Sequence, residues 1–84
     1  MNINEILEQH QIWLETSGKE GIRANFCGAN LRGVNLYGVN LRDTNLRGAD
    51  LNDADLCGTN FCNTNLFAVS LRGAKVMQLY QKYS

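Results

Sequence analysis

From residue 24 the chain reads Ala24-Asn25-Phe26-Cys27-Gly28, Ala29-Asn30-Leu31-Arg32-Gly33, Val34-Asn35-Leu36-Tyr37-Gly38, and it continues in fives without a slip to Ala74-Lys75-Val76-Met77-Gln78. These 11 units cover 55 of the 84 residues. Each column has its own chemistry. The third is apolar throughout: Phe26, Leu31, Leu36, Leu41, Leu46, Leu51, Leu56, Phe61, Leu66, Leu71 and Val76. The first is always small (Ala, Val or Thr), and the second is Asn or Asp nine times running before Ser70 and Lys75. The fourth is mixed and often Arg, and the fifth is Gly in six of the 11 units.

A period of five suits neither regular element. On an α-helix it advances the apolar position by roughly 140° per unit and smears it around the axis. On a flat strand an odd period sends successive leucines to opposite faces. Both objections vanish if the chain turns once per unit. Columns one and three then share a face, as in a short strand, and the Gly-rich fifth column is where a corner is sterically easiest. Four corners close a coil of about 20 residues that rises roughly 4.8 Å. Residues 20 apart stack, so Asn25, Asn45 and Asn65 are expected to form a side-chain amide ladder of the kind that stabilises stacked strands.

The pattern of Ala, then Asn or Asp, then Leu, then two variable residues resembles the pentapeptide-repeat family, over Ala24 to Gln78. The resemblance implies an all-β solenoid, a right-handed quadrilateral β-helix with the Leu or Phe ladder and the small residue two before it inside. Hand and square section rest on the resemblance; the stacked turns rest on the period.

A short solenoid needs its ends covered. Residues 1–23 are read as an N-terminal helical cap and turn, 24–78 as the repeat coil, and 79–84 as a tail. Ile3, Ile6, Leu7, His10, Trp13 and Leu14 fall on one helical face. Asn2 or Asn4 is placed to N-cap that helix and Gly18 to end it. Trp13 is expected to cover the open end of the core. Leu79, Tyr80 and Tyr83 make the tail apolar, and it is expected to cover the other end or to pair with a second copy. Several pentapeptide-repeat proteins dimerise through C-terminal segments, so the resemblance favours a homodimer.

Composition narrows the function classes. Eight basic and eight acidic residues give zero net charge, which argues against direct binding to nucleic acid or an anionic membrane, since both rely on a basic excess. No apolar run is long enough to span a membrane, and the N-terminus lacks the pattern of a secretory signal. Cys27, Cys57 and Cys62, an odd count at spacings foreign to zinc sites, read as reduced thiols in the cytoplasm. His10 is the sole histidine, so a nucleophile–base pair and a metal centre both lack their usual members. No cofactor is expected, and an enzyme is disfavoured.

Two outer features remain. Tyr37, Cys57 and Met77 stack into an apolar stripe, either an interface or a seat for the tail. Asp50, Asp53 and Asp55, around the corner of two faces, with Asp43 two units earlier, form an acidic group flanked by Arg32 and Arg72. The plain reading is paired charge on a solvated face; the sharper one is an imitation of phosphate spacing. Some members of the resembled family imitate duplex DNA and inhibit or protect gyrase. This chain is shorter than those, and its repeats carry four acidic against five basic residues. The expected function is a non-catalytic binding protein that docks on another macromolecule. Its expected target is a bacterial DNA-handling enzyme, gyrase-like or a defence nuclease complex. The alternative is a self-associating structural module.

Overall fold

The structure, a computed structural model, describes residues 1–77. Leu79, Tyr80 and Tyr83, and with them the expected tail and dimer contact, lie outside the described residues.

Helix α1 spans Ile3–Glu15. Asn2 is its N-cap: the side-chain oxygen accepts the Glu5 N–H at 3.0 Å, which satisfies one of the otherwise orphaned first-turn amides. The helix stops at Thr16, two residues before the glycine that the sequence marks as its end. Ser17 and Gly18 are both left-handed, and the Gly18 N–H closes on the Trp13 carbonyl at 2.8 Å. Ile3, Ile6 and Leu7 pack on the hydrophobic core.

After α1 the chain turns at every fifth residue. The Ala29 N–H donates to the Phe26 carbonyl at 2.9 Å, and the equivalent bond recurs at each corner as far as Ala74 to Leu71. The third residue of every turn, column five, has positive φ, which makes these type II turns. Glycine meets that demand at six corners. Asp43, Asp53 and Asn63 meet it with side chains that tolerate the left-handed region. Ala68, at φ 62°, has no such excuse and is the strained corner.

Successive coils lock at a spacing of 20. The Phe26 N–H donates to the Asn45 carbonyl at 2.7 Å and the Gly28 N–H to the Arg47 carbonyl at 2.8 Å, with the same pattern repeating around the coil. Column-two residues form parallel bridges, Asn25 with Asn45, Asn30 with Asp50, and on to Asp55 with Lys75. The sides remain single bridges because two of each five residues are consumed by the corner.

Column two does not form the expected amide ladder. Each Asn or Asp oxygen instead accepts the N–H two residues on, as Asn25 does from Cys27 at 3.0 Å and Asp55 from Cys57 at 3.1 Å. Nine consecutive units use this Asx bond, which pairs a corner amide that the coil-to-coil bonds leave unused. Ser70 is too short for it. Asn52, on the coil before, substitutes: its oxygen accepts both the Ser70 hydroxyl and the Arg72 N–H at 2.7 Å.

The core is columns one and three. Leu41, Leu46, Leu51 and Ala54 are fully buried, and Phe26, Leu31, Leu36, Leu56, Ala24 and Ala49 nearly so. Thr59 and Thr64 of column one satisfy their hydroxyls on the coil before, Thr59 on the Leu36 carbonyl and Thr64 on the Leu41 carbonyl, each at 2.7 Å. The expected core ladder fails at its last rungs. Phe61 is half-buried, and Leu66 and Leu71 are 40% and 46% exposed. An inward side chain is fully buried only when it is covered on both sides, by a second coil or, for the first coil, by α1, and among the described residues these have a coil on one side alone.

Candidate partner-binding faces

The register divides the coil into four sides. Side 1 holds 24–28, 44–48 and 64–68; side 2 holds 29–33, 49–53 and 69–73; side 3 holds 34–38, 54–58 and 74–77; side 4 holds 39–43 and 59–63.

Side 3 carries the apolar stripe. The Gly38 N–H donates to the Cys57 carbonyl at 2.9 Å, which fixes Tyr37 and Cys57 in successive rows. Tyr37 is 67% and Met77 54% exposed, with Cys57 half-buried between them. The corner beside them carries Gly38 and Gly58, and a Cβ on Gly58 would lie 3.6 Å from the Gly38 backbone. Asp55 and Lys75 balance each other's charge on this side. The Cys57 N–H and thiol, with a smaller attraction to Lys75, hold the Asp55 carboxyl below its usual range. Partial burial and the neighbouring Asp55 push the Cys57 thiol up.

Side 1, half a coil away, carries Cys27, Arg47 and Phe67. Phe67 is 64% exposed, but the Arg47 guanidinium lies over its ring at 4.7 Å. Its aromatic face is therefore occupied, whereas Tyr37 is bare.

The acidic group is not one patch. Asp50 and Asp53 lie on side 2, Asp55 on side 3 and Asp43 on side 4. Asp50 and Asp55 spend an oxygen on their own turns. Asp53 pairs with Arg32 at 3.3 Å. Asp43 pairs with Arg42 at 3.7 Å and accepts the Asn63 amide. The cluster seen along the sequence is thus distributed around corners; Asp43 and Asp53 are ion-paired, and Asp50 and Asp55 each spend one oxygen on a turn N–H.

Helix α1 adds features that the repeat columns do not announce. Where its end meets side 4, a cleft of about 490 Å³ is lined by Trp13, Leu14, Ser17, Gly18, Asn40, Arg42 and Asp43. A smaller one of about 330 Å³ lies among Glu5, Ile6, Gln9, Ile22 and Arg23. The expectation that Trp13 covers the core is corrected: His10 reaches it, and Trp13 is half-buried, stacked behind the imidazole at 5.7 Å. Ile22, 67% exposed, is an apolar surface residue that the period could not flag, because it precedes the first unit. Among the described residues no helix is long and apolar enough to cross a membrane, and no three His, Cys, Asp or Glu gather as metal ligands.

The family model for pentapeptide repeats matches residues 22–48 and 44–78, in eight copies. The chain belongs to the pentapeptide-repeat family. Its fold is accordingly a β-helix-type solenoid. Among solved structures it is similar to a pentapeptide repeat protein from the cyanobacterium Cyanothece 51142, at 34% identity over 67% of this chain and 42% of that one, with a TM-score of 0.59. It is also similar to a pentapeptide repeat protein from the Arabidopsis thaliana thylakoid lumen, at 37% identity over 68% of this chain and 39% of that one, with a TM-score of 0.65. The chain spans about two fifths of the length of each. The comparison with curated proteins gave no match.

Proposed function

We propose that this chain is a non-catalytic binding module that docks a protein partner on side 3 of a right-handed quadrilateral β-helix, with α1 as its N-terminal cap. The observation that carries this reading is the stripe of exposed Tyr37 and Met77 with half-buried Cys57 between them, on a charge-balanced side. Exposed contiguous apolar surface is what interfaces use, and Tyr is among the residues that anchor them. A rigid coil holds such a stripe without ordering cost at the moment of binding. Three free thiols, two of them exposed, suit a reducing, cytoplasmic setting.

The finer reading, inhibition of a bacterial DNA-handling enzyme by partial DNA mimicry, draws on the exposure of Asp53, whose side chain is 57% accessible. The ion pairing of Asp43 and Asp53 with neighbouring arginines counts against it. Self-association as a structural module is the third reading.

One substitution set separates them. Tagged wild-type protein is used to capture partners from a nuclease-treated bacterial lysate, beside Tyr37→Ser/Met77→Ser and Asp50→Lys/Asp53→Lys variants. Side-3 docking predicts a partner lost with the first variant and kept by the second. The reverse pattern, with gyrase or a nuclease as the partner, supports mimicry. Recovery of the bait alone supports self-association.

A further inference from the structure

His10 is 1% exposed, the only buried residue of α1, and both ring nitrogens are engaged. Nδ1 receives the Ala24 N–H at 3.0 Å. A backbone amide only donates, so Nδ1 carries no proton and the ring's single proton sits on Nε2. Nε2 then donates to the Arg42 carbonyl at 2.8 Å, with the Thr44 hydroxyl at 3.2 Å. One side chain thus ties the helix to the start of the first coil, its end, and the start of the second.

We propose that His10 is a proton-operated latch, and that α1 is a lid on the first coil which acid releases. A second proton on the ring must go on Nδ1, where it meets the Ala24 N–H head on and removes the acceptor of that bond. A doubly protonated ring is also a buried charge. No carboxylate among the described residues hydrogen-bonds or pairs with it. The groups around it are the Trp13 ring, with the Arg23 guanidinium 5.8 Å from that ring's centre, the Ala24 amide, the Thr44 hydroxyl and the main chain of Arg42, whose side chain is paired with Asp43. Neither the Arg23 side chain nor the Arg42–Asp43 ion pair hydrogen-bonds the ring, so a second proton there has no counter-charge and costs the docked helix its Ala24 bond. Uptake of a proton therefore accompanies release. Release uncovers Ile3, Ile6 and Leu7 on one side and the core beneath them on the other.

The chain is unusually suited to a clean test, because His10 is its only histidine. The experiment follows the His10 ring by proton NMR from pH 8 to 5 on the full chain. Amide exchange, corrected for its intrinsic pH dependence, and Trp13 fluorescence are recorded alongside. The proposal predicts that protection of the α1 amides falls by about tenfold per pH unit below the pH at which a released histidine ordinarily takes up its proton, as a one-proton linkage requires while the docked ring stays singly protonated. The Leu46 and Leu51 amides keep their protection over that range. His10→Asn, which retains a neutral acceptor and donor, is expected to remove the pH dependence; if that variant does not fold, the wild-type titration decides alone. Ring protonation without loss of α1 protection overturns the latch, as does simultaneous loss of helix and coil.

Discussion

Asn52 shows how much one residue outside the obvious pattern can carry. It occupies a mixed column, yet it accepts the two donors that Ser70 leaves without an acceptor of their own. Asn52→Ala should lower stability by about 1–2 kcal/mol, the usual consequence of stranding a donor. Ser70→Asn, which restores the Asx bond, should recover most of that loss in the double variant; urea midpoints measure both. At the corners, Ala68→Gly should stabilise by about 0.5–1 kcal/mol by relieving left-handed strain. Gly48→Ala, at φ 70° with open space around its Cβ, should cost about 1 kcal/mol. Cys57 is raised while Cys27 and Cys62 are exposed, so Cys57 should alkylate slowest near neutral pH, because the thiolate is the reactive form. Peptide mapping after timed iodoacetamide treatment reads the order.

At the scale of elements, the coil was legible and its fittings were not. The five-residue period gave the turn, the register of 20 and the inward columns, since each follows from chain geometry alone. The amide ladder was misjudged because an Asn oxygen finds its own turn N–H two residues away before it finds a neighbouring coil. Exposure of Leu66 and Leu71 depends on a residue's layer, which a repeat pattern cannot express. Hence Leu46→Ala should cost 2–5 kcal/mol, as for a fully buried Leu, and Leu71→Ala clearly less. Leu46→Lys places an unpaired charge in the middle of the core and should abolish folding. The helical face of α1 was legible from its spacing, and Ile3, Ile6 and Leu7 pack on the core as that face implies, but the full burial of His10 ahead of Trp13 was not legible. A ring with two polar nitrogens proved the better fit to a coil end that offers an amide N–H and a carbonyl than the larger indole did.

At the scale of the molecule, chemistry is sorted by side. Apolar groups stand on sides 1 and 3, and most of the charge on sides 2 and 4. The stripe was legible once residues 20 apart were stacked. The spread of the acids over a corner was legible in the same way, but the pairing of Asp53 with Arg32 and of Asp43 with Arg42 was not, because it depends on side-chain reach. The Asp55 carboxyl is held down by the Cys57 N–H, so its contribution is present above about pH 4 and is lost as pH falls through its lowered folded value. Asp55→Asn keeps the oxygen acceptor and should flatten the acid limb of a stability–pH curve while changing neutral stability little. The central claim, that side 3 is the docking face, is tested most directly by placing a photo-crosslinking phenylalanine analogue in turn at Tyr37, Met77, Asp53 and Asn63 and irradiating in lysate. Capture of one protein from positions 37 and 77, and not from 53 or 63, is the predicted result. Capture from position 53 or 63 in their place contradicts it.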